Sequence, residues 1–194
     1  MRPLIYAALA ASSLLLSACE SVPKTGVSPE PTYEQAQHNA FNAANYGAVA
    51  ELLKRYPAAP ATASNFSNSG GNAPFIVATL VNIDQLEQSS TLGRLISEQV
   101  ASRMSQLGYG VLELKVRNGV YMKRNEGEFL LSREIREVAA AHNAQGVVVG
   151  TYAEGANLLH VTLKLVDPSS SLVLAAHDYT LPLNRQVKSL LRTR

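Results

Sequence analysis

The sequence predicts an α/β fold, a mixed β-sheet packed with helices, and three observations carry that expectation. Two uninterrupted apolar runs of strand length, Phe75 to Val81 (FIVATLV) and Gly146 to Tyr152 (GVVVGTY), lack polar alternation and so call for cover on both faces. Between them Leu92, Leu95, Ile96, Val100, Met104 and Leu107 recur at three- and four-residue steps, the spacing of one helical face. After the second run, Leu159, Val161, Leu163 and Leu165 alternate with His160, Thr162 and Lys164, the period of a strand with one core face and one wet or partner-facing face.

Composition narrows the classes of function. A chain of 194 residues has room for one compact domain with extensions and little room for a multidomain enzyme. Its 17 basic residues are scattered and nearly balanced by 15 acidic ones, which gives neither the footprint of a nucleic-acid binder nor a polybasic membrane patch. One cysteine, Cys19, can form neither an internal disulfide nor a structural zinc site.

Its position explains that cysteine. Arg2 is the only charge before Glu20, and Pro3 to Leu16 is apolar or small, the pattern of an export signal rather than of a spanning helix, which needs about 20 apolar residues. The run ends Leu16-Ser17-Ala18-Cys19, which resembles the lipobox of bacterial lipoproteins. That resemblance implies a signal peptide over residues 1–18 and diacylglycerol on the sulfur of Cys19. Glu20 stands where the retention signal of inner-membrane lipoproteins has aspartate, so the resemblance implies the outer membrane, with the domain in the periplasm. That compartment has no general pool of ATP, GTP or NAD, and no cofactor is expected.

The elements follow in order. Residues 19–31, with three prolines and no periodicity, read as a lipidated linker. Thr32 and Gln35 fit a capping box for an amphipathic helix over 32–57, with Phe41, Ala44, Ala48, Leu52 and Tyr56 on one face and Pro57 as the stop. Close packing on the domain is favoured for it over capture of a partner. Residues 58–74 are rich in Ala, Ser, Asn, Gly and Pro and read as a joint. The domain then runs from 75 to 183: the first apolar strand, the helix ending at Gly108, a strand over Tyr109 to Leu114 and a short one over Val116 to Lys123. A helix capped by Ser132 follows, with Ile135, Val138, Ala139 and His142 on one face, then Gly146 to Tyr152, a turn over Glu154 to Asn157, and two more strands joined through Asp167 to Ser171. Residues 184–194 form a basic C-terminal tail.

Catalytic constellations are missing from the sequence: no nucleophile elbow, dinucleotide or Walker loop, nor H-E-x-x-H. If Thr162 sits opposite His177 in the last hairpin, His160 and His177 lie diagonally on one face, a minor candidate for metal or pH sensing. Glu126, Glu128 and Arg133 lie in a charged segment around Gly127 and form the candidate interaction loop, set against a solvated loop leading into a helix; a glycosidase pair at Glu126 and Glu128 is a remote alternative.

Four segments, Ser90-Thr91-Leu92-Gly93-Arg94-Leu95, Gly127 to Arg133 (GEFLLSR), Val149-Gly150-Thr151-Tyr152 and Leu165-Val166-Asp167-Pro168, occur in order, and with them Phe75 to Leu183 resembles the FlgO family of bacterial outer-membrane lipoproteins. The resemblance implies a domain related to the amino-terminal domain of TolB. It also implies a non-enzymatic role in assembling or steadying the flagellum at the outer membrane, through contacts with flagellar or other envelope proteins. The alternative is an activator of a peptidoglycan synthase, similar to LpoB-type lipoproteins, whose partner is the peptidoglycan machinery. A periplasmic hydrolase with an unrecognised site is a third, weaker reading.

Overall fold

The structure is a computed structural model that describes residues 31–37, 39–56, 73–86, 88–112 and 133–192. The chain divides into two units, residues 1–37 and 38–194. In the first, α1 (Tyr33–Gln37) begins with the expected capping box: the Gln35 side chain accepts from the Thr32 N–H at 3.0 Å, and Thr32 Oγ1 accepts from the Gln35 N–H at 3.3 Å.

The single helix expected over 32–57 is not one helix. A second helix, α2 (Ala40–Leu52), starts afresh at Asn39, whose backbone is extended and whose side chain accepts from the Phe41 N–H at 2.9 Å. An Asx cap at this point satisfies a free N–H of a new helix, so Asn39 separates two helices that the apolar spacing alone cannot separate. Pro57 lies outside the described residues.

The sheet in the second unit contains β1 (Phe75–Val77), β2 (Val81–Asn82), β3 (Val111–Leu112), β4 (Gly146–Glu154), β5 (Leu158–Val166) and β6 (Val173–Pro182). Its order is β3-β1-β4-β5-β6, with β2 also on β4. Pairing is parallel from β3 through β1 to β4 and antiparallel from β4 through β5 to β6, so the sheet is mixed as expected. Among the described residues, the helices of this unit besides α2 are α3 (Thr91–Gln106), α4 (Arg133–Ala141) and α5 (Arg185–Leu191). The expected short strand over Val116 to Lys123 and the Ser132 cap lie outside the described residues.

The apolar run Phe75 to Val81 forms two strands instead of one. Both lie parallel to β4, but after the Ala78 N–H, which still donates to the Val148 carbonyl at 2.8 Å, the chain leaves the ladder over Thr79 and Leu80. Side chains take over the hydrogen bonds there: Ser97 Oγ accepts from the Leu80 N–H at 2.8 Å, and Ser89 Oγ donates to the Leu80 carbonyl at 3.0 Å. A buried peptide group leaves a strand only where such substitutes exist, and these come from Ser97 of the helix that follows and from Ser89 just before its cap.

Helix α3 stops as expected. The N–H of Gly108 reaches the Ser105 carbonyl and that of Tyr109 the Met104 carbonyl, with Gly108 at φ 89°, a Schellman ending that glycine adopts without a Cβ clash. The same motif closes α4, with Asn143 at φ 50° in place of glycine. His142 falls in that ending and is exposed, so it does not join the apolar face of Ile135 and Ala139.

Two apolar layers hold the sheet. On one side α2 and α3 bury Phe41, Val49, Leu52, Ile96, Val100 and Met104 against Val148, Val161, Leu163 and Leu165. On the other, Ile135 and Ala139 of α4 cover Ile76, Val147, Val149 and Val166. The small residues Ala44 and Ala48 let α2 approach closely, and α2 is part of the core, as its alanine-rich face suggested.

Candidate interaction surface

On β5, Leu159, Val161, Leu163 and Leu165 are buried, whereas His160 is exposed and Thr162 and Lys164 are half-buried on the opposite face. The partners of that outer row on β6 are Thr180 beside His160, Asp178 beside Thr162 and Ala176 beside Lys164. The row is polar, of mixed charge, and lies beyond the residues that α4 covers. β6 is the last strand in the sheet, so among the described residues its outer backbone edge has no strand partner over ten residues. Such an edge offers N–H and C=O groups to an added strand. Leu172 and Val173, 64% and 49% exposed, flank it at the hairpin end.

The structure corrects the proposed pairing of His160 and His177. Val166 pairs with Val173, the register that would place Thr162 opposite His177. A bulge between Leu165 and Val166 admits one extra residue of β6, so Leu165 pairs with Ala175 and Leu163 with His177. A one-residue shift exchanges the faces. His177 therefore sits on the helix-covered side, stacked on Tyr179 with ring centroids 6.3 Å apart, while His160 is on the outer face. The two do not form a joint metal or pH-sensing site. Among the described residues, no three His, Cys, Asp or Glu side chains gather as metal ligands.

Of the candidate site residues, Cys19, Glu126 and Glu128 lie outside the described residues. Arg133 opens α4 with its side chain 87% exposed, and its Nε lies 2.9 Å from Glu137 Oε1 one turn on. At that exposure and helical spacing the pair contributes only about 0.3–0.5 kcal/mol and leaves the guanidinium accessible.

Sequence reasoning missed a buried polar junction behind this surface. Asn45, fully buried on α2, donates to Gln99 Oε1 of α3 and accepts from the Tyr179 hydroxyl of β6 at 2.7 Å. Gln99 Nε2 in turn donates to Asn42 Oδ1 at 2.8 Å. An asparagine at an apolar helical position was the available signal. Burial pushes the Tyr179 phenol well above the usual tyrosine range. The unfolded chain releases this proton near pH 10 and the folded chain retains it, so stability should fall as pH rises above about 10. Tyr179→Phe should remove that alkaline decline while destabilising the protein by about 1–2 kcal/mol at neutral pH, because Asn45 loses its donor. Urea unfolding of both proteins between neutral and alkaline pH checks this.

The FlgO family, described as FlgO protein, matches residues 56–186. No curated protein sequence matches the chain. Among solved structures, the LpoB C-terminal domain from Salmonella enterica is 11% identical with a TM-score of 0.48, covering 74% of this chain and 98% of that one. The NMR structure of Escherichia coli LpoB is 13% identical at 0.46, covering 92% and 89%. Lipoprotein GNA1162 from Neisseria meningitidis is 14% identical at 0.42, covering 59% and 84%. Scores and identities this low carry no functional inference.

Proposed function

Since the chain belongs to the FlgO family, with the match spanning residues 56–186, we propose that it is a non-enzymatic lipoprotein of the outer membrane that supports flagellar assembly or stability, and so motility, through protein contacts. The family match is the observation that carries this reading. Cys19, behind its lipobox-like run, is the proposed lipid attachment, and the domain then faces the periplasm. The open edge of β6 is one contact surface; Arg133, with Glu126 and Glu128 in the sequence before it, is the second. Neither requires a cofactor.

The test is a deletion strain complemented with wild-type, Cys19→Ala or Arg133→Ala copies, scored by swimming in soft agar and by flagella counted in electron micrographs. Fewer or shed flagella on deletion, restored by wild type, is the expected result. Cys19→Ala should fold yet leave the membrane fraction and fail to restore swimming. Arg133→Ala should restore it only in part. Normal flagella in the deletion strain would overturn the flagellar role and direct the search to activation of a cell-wall synthase.

A further inference from the structure

We propose that a second copy of this chain occupies the open edge of β6, pairing β6 antiparallel with its own β6 about a two-fold axis at His177 and joining two sheets into one. This names the occupant of the edge read above as a contact surface, and it rests on that reading. Among the described residues β6 is the longest strand, and it stands at the edge, where proteins ordinarily keep strands short or interrupt them with lysine, proline or a bulge. Its bulge and Pro182 lie at its two ends, and the run between, Ala175 to Leu181, has no lysine and a single charge, Asp178. An edge this long and this unprotected calls for cover.

Helix α2 selects a second copy over a lone strand as the occupant. α3 packs on β1 and β3 and α2 on β5 and β6, so α2 stands over the open edge, fixed there by the bond between Asn45, in its middle, and Tyr179. Asn42 and Tyr46 face α3, and the helical repeat puts Ala40, Ala44 and Gly47 on the opposite side, with Glu51 after them. Ala40 and Gly47 are exposed and Ala44 is half-buried. Adjacent strands lie about 4.8 Å apart, whereas packed helices stand about 8–10 Å apart, so a helix above an edge strand admits a copy of itself only where its side chains are short. Those of α2 are. Edge and helix together cover roughly 600 Å² on each copy, the lower end for a stable interface, and the edge alone about half of that. A lone strand falls short of that size and leaves the helix bare.

Charge and size fix the register. A two-fold axis normal to the sheet leaves every residue on its own face, so each opposes a residue an even number of positions away. The candidate axes near the middle of β6 pass through His177, Asp178 or Tyr179. An axis at Asp178 sets two carboxylates face to face, and one at Tyr179 sets Pro182, which has no N–H, in the ladder opposite Ala176. An axis at His177 avoids both. Ala175 of one copy then opposes Tyr179 of the other, small against large, and Ala176 opposes Asp178. Because Ala176 pairs with Lys164 inside each copy, Asp178 of the other copy comes into line with that lysine across a short side chain.

Sedimentation equilibrium of the chain from residue 19 with Cys19→Ala, at about 1 to 100 μM, should show a monomer–dimer equilibrium. Ala176→Asp should weaken the dimer roughly tenfold, because the two-fold places carboxylates opposite each other twice, while within each copy the new side chain stands beside Lys164. Ala176→Asp combined with Asp178→Lys should restore it, an exchange that only a self-paired edge in this register rewards. Both positions are exposed, and circular dichroism verifies that the variants are folded. In the same background His177→Cys, about 5 Å from its twin, should give a disulfide-linked dimer in air, and Thr180→Cys, about 20 Å from its twin, should not. A monomer at every concentration, a dimer that Ala176→Asp leaves unchanged or that the exchange does not restore, or equal cross-linking of the two cysteine variants would each overturn the proposal. The flagellar role is read separately, in the deletion strain.

Discussion

Gly93→Ala should destabilise the protein by about 3 kcal/mol, the upper end of the range for forcing one carbon into a packed core. A Cβ at this position would stand 2.2 Å from the Leu80 carbonyl oxygen, 2.9 Å from Ser89 Oγ and 3.1 Å from Tyr152 Cε1. The nearest atom is backbone, so no rotamer change relieves the contact. That carbonyl is also fixed, because Ser89 donates to it and the neighbouring Leu80 N–H is held by Ser97. The first turn of α3 would have to withdraw from the gap between β1 and β2, breaking bonds that replace the missing ladder. Gly47→Ala is the internal control: on α2, with nothing within 4 Å of the added carbon, it should stabilise by about 0.5–1 kcal/mol through helix propensity alone. Urea denaturation of both variants decides it; a Gly93→Ala protein as stable as wild type would mean that α3 does not press on Leu80 as described.

Gly93 also shows what the sequence can and cannot convey. The apolar face of α3 from Leu92 to Leu107 was legible, and in the structure Ser90 caps that helix by accepting from the Gly93 N–H at 3.2 Å. That Ser89 and Ser97, on either side of this start, interrupt the preceding strand was not legible. Phe75 to Val81 is apolar but for Thr79, and the hydroxyls that replace its ladder bonds come from residues 9 and 17 positions beyond Leu80. Hydrophobic period is blind to a change of hydrogen-bond partner. The hairpin of β5 and β6 fails for a related reason. Alternation placed both strands and the faces of β5, but one extra residue of β6 beside Leu165 and Val166 has no signature in the pattern, and it moves His177 to the covered face. The charged segment before α4 was recognisable by composition, whereas the open edge of β6 depends on strand order, which short-range patterns do not encode.

A chain that begins at Tyr56, where the family match starts, should not fold cooperatively, whereas one that begins at Asn39 should. The family match leaves out α2, yet Phe41, Val49, Leu52 and Leu53 are among the most buried side chains of the larger unit. Burying four such groups contributes roughly 6–12 kcal/mol at about 1.5–3 kcal/mol each, comparable with the entire net stability of a domain, about 5–15 kcal/mol. Polar losses act in the same direction, because removing Asn45 takes the acceptor from the Tyr179 hydroxyl and a partner from Gln99 inside the fold. The two chains should therefore differ in kind: a sharp urea transition for the longer one, and a broad, dye-binding, aggregation-prone state for the shorter. A shorter chain with a sharp transition and native-like circular dichroism would show that the domain stands without α2, freeing that helix to bind a partner. Loss of cooperativity would mean that α2 is the first element of the folded domain, and that the span between lipid and domain ends at Asn39.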